Sequence, residues 1–277
     1  MKTLREDAFS SPLYHIITVA LLAVGLVSIP LEKLVGLFIK DTALSIMLGG
    51  IVLRLVLFVL ALIAVKKYGF IKPFRTSDGI VKFLLCLPAL VVALNNFPIL
   101  AFVQGKLTLN DVGTLKIIVY VFYCVLIGAF EQIVFCGIVF PLFIVYFKGQ
   151  RQNLFLPVIF TALVFGLSHL TNLLGGADFT STLLQVCYSF LISAMCITTV
   201  VITKSIYTAI FLHATYDFGG LILNKSLGMA TGSAWNTLTI TVTAVIGVVV
   251  AVYFLILIFK HNYKDIQSLY FTKDELN

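Results

Sequence analysis

Residues 115–147 read LKIIVYVFYCVLIGAFEQIVFCGIVFPLFIVYF, and this run decides the fold class. It carries two charges, Lys116 near its start and Glu131 near its middle. An apolar run of this length is a membrane helix rather than a core helix of a soluble domain. It is also too long for one crossing: at 1.5 Å per residue it spans about 50 Å, against a hydrocarbon core of about 30 Å. The helix must therefore project, tilt or break, and Gly128 and Gly137 are the expected bending points.

Outward from this run, the whole chain of 277 residues has the same character. It is 60% hydrophobic and 11% charged, where a soluble domain is about a quarter charged. Its mean hydropathy is +1.09. Eight apolar stretches qualify as spans: 13–30, 43–65, 80–103, 115–147, 155–173, 181–203, 205–223 and 236–260. The expectation is an all-α membrane protein, one transmembrane domain over 1–277, built as a bundle of about eight helices around a polar intramembrane pocket.

The net charge of +7 is no sign of nucleic-acid binding, because the basic residues fall in short loops between spans, where orientation signals belong. The N-terminus, the 66–82 and 148–154 loops, Lys204 and the C-terminus hold 13 Lys and Arg, and the opposite loops hold 5. That bias places both termini in the cytoplasm. The first span lacks a small-residue cleavage site and is read as retained. Lys273-Asp274-Glu275-Leu276 is followed by Asn277, so it is not a terminal retention signal. The five cysteines, Cys86, Cys124, Cys136, Cys187 and Cys196, lie in apolar stretches without metal-knuckle spacing, which argues for fillers and against a disulfide framework. No internal repeat supports an inverted-repeat transporter.

Ionisable groups inside a bilayer are costly and mark function more often than not. Of 12 acidic residues only Glu131 and Asp217 fall within spans. His169 and His213 are the histidines well inside them, and Arg54 is the one intramembrane base. His213 and Asp217, four apart, share a helix face. Taken singly, each could be an interhelical hydrogen bond, or Asp217 a partner for Arg54. Taken together, they predict one pocket. A buried carboxylate and an imidazole can take a proton from water, while a second imidazole donates to an oxyanion. The same two His and two carboxylates would also suit zinc or manganese, or a proton relay.

The order of the residues narrows this choice. Glu131-Gln132-Ile133-Val134-Phe135-Cys136, then Phe165-Gly166-Leu167-Ser168-His169, then His213-Ala214-Thr215-Tyr216-Asp217 resemble the three motifs of the CAAX prenyl protease and bacteriocin-processing family. Those motifs are E-E-x-x-x-R, F-x-x-x-H and H-x-x-x-N/D on successive membrane helices. The resemblance covers about 115–223. It implies an intramembrane endopeptidase in which Glu131 and His169 activate water and His213 and Asp217 stabilise the oxyanion. It also implies no metal or other cofactor; a divalent ion such as zinc, on Glu131, His169, His213 and Asp217, is the alternative. The first motif departs from the pattern, with Gln132 for the second Glu and Cys136 for the Arg. An oppositely charged pair four residues apart has thus become a neutral pair, which avoids an unpaired charge in the membrane. Arg54 could supply the positive charge missing at 136. Asn95, Asn96 and Asn172 are candidate pocket-lining amides.

The expected activity is hydrolysis of a peptide or membrane-associated protein, with lipid as the surrounding partner, in a bacterial cytoplasmic membrane. The alternatives are a catalytically degenerate immunity or signalling scaffold and, with less support, a proton-coupled transporter. Oligomeric state is not readable from the residues.

Overall fold

The computed structural model describes residues 3–70, 74, 82–148, 153–234 and 236–272. The 273–276 stretch and the basic residues Lys2, Lys72, Arg75 and Arg151 lie outside the described residues. The architecture is helical, with one two-stranded ribbon.

In chain order the helices are α1 (Leu4–Ser10), α2 (Pro12–Val27), α3 (Leu31–Val35) and α4 (Thr42–Tyr68). A 3-10 turn at Leu84–Cys86 leads into α5 (Leu87–Asn95), then α6 (Ile99–Val103). The long run becomes α7 (Gly113–Val134), a π-helical turn (Phe135–Val139) and α8 (Phe140–Tyr146). There follow α9 (Phe155–Ser168), a 3-10 segment (His169–Gly175), α10 (Phe179–Thr203), α11 (Ile206–Leu221), α12 (Thr237–Phe259) and α13 (Tyr263–Tyr270).

Local chemistry sets the boundaries. Asp41 accepts the Leu44 N–H at 3.1 Å to cap α4, and Gly69 closes that helix at φ 75°. Asp178 caps α10 through the Ser181 N–H at 2.9 Å, and Lys204 ends it in the left-handed region at φ 59°. Asn236 opens α12 with a reciprocal capping box.

Six helices among the described residues are long and apolar enough to cross a membrane: Pro12–Val35, Thr42–Tyr68, Gly113–Tyr146, Phe155–Gly175, Phe179–Thr203 and Thr237–Phe259. The chain is therefore a multi-pass membrane protein, and the other two apolar stretches, 80–103 and 205–223, form shorter helices. The 80–103 candidate is broken where Asn96-Phe97-Pro98 separates α5 from α6, because a proline disfavours helix at the residue before it. The 205–223 candidate yields the 16 residues of α11, about 24 Å of helix. Apolar side chains on α4 and α12, such as Val56, Leu60, Val248 and Val252, face outward as lipid contacts would require.

The long run breaks by a different device from the one expected. Gly137 lies inside the π turn, but Gly128 lies in regular helix. Gly128 is instead a point of close approach: a Cβ there would come within 2.9 Å of the Ala214 backbone nitrogen on α11. α7 is the central helix, with α4 on one side and α11 on the other.

The two ends of the bundle are tied separately. At one end β1 (Leu107–Leu109) pairs antiparallel with β2 (Ala230–Gly232), Leu107 opposite Gly232, and Lys116 meets Asp41 at 2.7 Å. At the other, Arg5 donates to the Tyr68 and Tyr270 carbonyls, and Asn153 bridges Asn262. The first described residues and α13 thus share a face, opposite the ribbon.

Candidate active site

Four helices bring the intramembrane polar groups together. Glu131 comes from the last turn of α7, His169 from the residue following α9, and His213 and Asp217 from α11. His213 Nε2 lies 3.3 Å from Glu131 Oε2 and 3.6 Å from Asp217 Oδ2. All four residues line one cavity of about 860 Å³, together with Arg54 of α4.

Two tight helix crossings enforce this convergence. Gly128 lets α7 and α11 touch one turn before Glu131. Gly166 does the same between α9 and α10 one turn before His169, where a Cβ would come within 2.9 Å of the Val186 carbonyl oxygen. Larger side chains at either place would hold the backbones, and hence the site groups, apart.

Phe165 explains the aromatic position of its motif. Its ring packs edge-on to both imidazoles, centroids 5.1 Å from His169 and 5.6 Å from His213. Its carbonyl accepts from His169 Nδ1–H at 3.1 Å, which leaves Nε2 of that ring as the basic nitrogen. The Ser189 hydroxyl donates to this Nε2 at 3.3 Å. Ser189 was not anticipated. The signal was present in the polar series Ser181, Gln185, Tyr188 and Ser189, which recurs at helical spacing on α10 and lines the cavity.

Gln132 and Cys136, the departures from the family pattern, lie directly beneath the site. Gln132 Nε2 donates to His213 Nδ1 at 2.6 Å, and the Cys136 thiol donates to Gln132 Oε1 at 2.9 Å. The replaced pair is therefore satisfied internally. Arg54 lies on the wall of the same cavity. Its guanidinium lies 5.2 Å from the centre of the Tyr123 ring, and among the described residues it forms no ion pair with Glu131 or Asp217. Its Nε and Asp217 Oδ2 are both buried without a hydrogen-bond partner among the described residues.

The three amides do line the cavity. Asn95 donates to the Thr243 hydroxyl at 3.0 Å, Asn96 to the Tyr216 carbonyl at 2.7 Å and Asn172 to Gln185 at 2.8 Å, so each also joins two elements of the wall. All five cysteines are free.

The walls come from the C-terminal ends of α2, α5 and α11, the N-terminal halves of α10 and α12, and Ser168–Asn172. These ends all point to the ribbon face. Glu131, His213 and Phe135 line it as well. The donor set of two His and two carboxylates has the chemistry for zinc. Yet among the described residues no three His, Cys, Asp or Glu side chains are grouped closely enough to hold one metal ion.

Comparisons with curated proteins and with solved structures give no match. A family model does: residues 113–219, from the start of α7 to the turn that carries Asp217, match the family described as type II CAAX prenyl endopeptidase Rce1-like. The three motifs read from the sequence fall within that segment, and their four polar groups line one cavity. Over residues 113–219 this membrane protein is thus similar to the type II CAAX prenyl endopeptidase Rce1-like family.

Proposed function

We propose that the protein is a membrane-embedded endopeptidase that hydrolyses a peptide or membrane-associated protein without a metal. The supporting observation is the convergence of Glu131, His169, His213 and Asp217 on one cavity. Glu131 and the basic Nε2 of His169 share a water molecule and take its proton as it attacks the scissile carbonyl. His213 donates from Nε2 to the oxygen that becomes negative, and Asp217, one turn on, orients that imidazole.

The wall combines aliphatic side chains such as Leu184, Leu191 and Ile246 with the amides of Asn95, Asn172 and Gln185. That mixture suits an extended peptide, whose backbone needs hydrogen bonds and whose side chains need apolar contact. In the orientation favoured by the loop charges, with both termini cytoplasmic in a bacterial membrane, the ribbon-side helix ends that line the cavity face outward. The substrate would then be presented at the outer leaflet.

The test compares Glu131→Ala and His169→Ala with the unmodified chain in membranes, reading peptide products by mass spectrometry. Both variants should insert and fold, and both should lose turnover. A folded Glu131→Ala protein that still generates the products would remove the hydrolase reading and leave the scaffold. Substrate flux into liposomes, unaffected by either change, would identify a transporter.

A further inference from the structure

The two positions at which this chain departs from the family pattern touch the site itself. We infer that Gln132 and Cys136 act together as positioning residues that fix which nitrogen of His213 carries the proton. The structural claim stands on the hydrogen bonds alone; its catalytic meaning rests on the hydrolase reading.

The chain of contacts starts at Cys136. A thiol has one proton to give, and here it goes to Gln132 Oε1 at 2.9 Å. That fixes the amide with its NH2 end toward His213, 2.6 Å from Nδ1. An amide NH2 can only donate, so the nitrogen it faces must offer a lone pair. The neutral imidazole must then carry its proton on Nε2. This nitrogen points to Glu131 Oε2 and Asp217 Oδ2, the open side of the site. All three side chains are essentially inaccessible: Cys136 is 0%, Gln132 1% and His213 3% exposed. Water therefore does not compete for these bonds, and buried polar groups hold their partners.

A carboxylate at 132 would do the opposite. It can only accept, so it would draw the proton to Nδ1 and leave a bare lone pair on Nε2 facing two carboxylates. The amide thus supplies what an oxyanion donor requires, a neutral ring with its N–H turned to the substrate side. On this view the change from Glu to Gln and from Arg to Cys sets the polarity of the site by hydrogen bonding alone, with no ion pair below it. The carbonyl of Cys136 is itself held by the Tyr270 hydroxyl at 2.9 Å, which anchors the first member of the chain from the closed face.

The test uses the full-length protein in lipid nanodiscs with nitrogen-15-labelled histidine, and His213→Gln to assign the signal. The unmodified chain should show His213 at neutral pH as the Nε2–H tautomer. Gln132→Glu should move the proton to Nδ1, Cys136→Ser should preserve the original pattern, and Cys136→Ala should give a mixture. In turnover, Gln132→Glu should be slower by roughly 10²–10³-fold at neutral pH, the loss expected for one oxyanion donor. Its residual rate should rise on acidification, because an imidazolium carries both protons; a lesion of packing alone would not give that limb. Adding Cys136→Arg to Gln132→Glu restores a charged pair four residues apart and keeps the test available if the single variant fails to fold. A protonated Nδ1 in the unmodified chain, or an unaltered tautomer in the Gln132→Glu or double variant, overturns the inference. Turnover that survives in Glu131→Ala overturns the hydrolase reading instead and leaves the tautomer result standing.

Discussion

The bundle has two unlike halves. Toward the ribbon the helices diverge around a cavity lined by hydroxyls, amides, two carboxylates and a guanidinium. Toward α1 and α13 the same helices are packed shut by aromatic side chains. Phe70, Phe140, Tyr270 and Phe271 are almost wholly buried there; Phe9 meets Phe271, and Phe70 and Phe140 meet Tyr270, each edge to face. A polar site in lipid needs donors held at fixed separations, and a cavity cannot hold its own floor in place. The closed half supplies that rigidity: Phe135, Cys136 and Gln132 belong to the packed region on one side and to the site on the other.

Variants can separate the two halves. The largest change in stability should come from Phe140→Ala in the closed half, about 3–5 kcal/mol for deletion of a buried ring, read as a lower denaturation midpoint in nanodiscs. Protein that remains folded should keep its turnover per molecule. Gly128→Leu acts where the halves meet and should cost about 1–3 kcal/mol by overpacking. Here turnover should fall at least about 10²-fold, because misplacement of about 1 Å between reacting groups has that effect. If Gly128→Leu destabilises the fold yet leaves turnover intact, the crossing of α7 and α11 does not set the site distances. Tyr270→Phe removes one buried hydrogen bond and should cost about 0.5–1.5 kcal/mol, again in the midpoint and with little effect on chemistry. The smallest shift should come from Lys116→Ala on the ribbon face. The Lys116 ammonium and the Leu44 N–H hold the Asp41 carboxyl below its ordinary value. A depressed carboxylate stabilises the fold above its unfolded value, and that contribution fades as pH falls through the folded one. Removing Lys116 should therefore flatten the acid end of the pH–stability curve, an effect that added salt should mimic.

Much of the open half was legible in the residues. Glu131, His169, His213 and Asp217 stand out because charge and imidazole are rare in apolar runs, and their order matched three motifs. The closed half was not, since Phe, Leu and Ile read alike whether they face lipid or a neighbouring ring. Helix length was hidden for a related reason: hydropathy measures apolar content, while the Asn96-Phe97-Pro98 break and the short α11 depend on where the backbone must turn. Gly128 was read as a hinge because glycine is common in both bends and close contacts, and only the position of Ala214 distinguishes them. The bond from Cys136 to Gln132 was not legible either, since one-dimensional spacing does not show a thiol giving its proton to an amide.

The π turn at Phe135–Val139 bears on how chain length can vary. Such a turn accommodates one extra residue while the helix on either side keeps its phase. A one-residue deletion within 135–139 would relax to ordinary helix and leave Glu131 and Phe140 in register. The same deletion between Gly128 and Glu131 would swing the carboxylate about 100° around the helix, out of the cavity. Gaps among related chains should therefore gather at this turn, and a designer wishing to shorten or lengthen the helix has one place to do it.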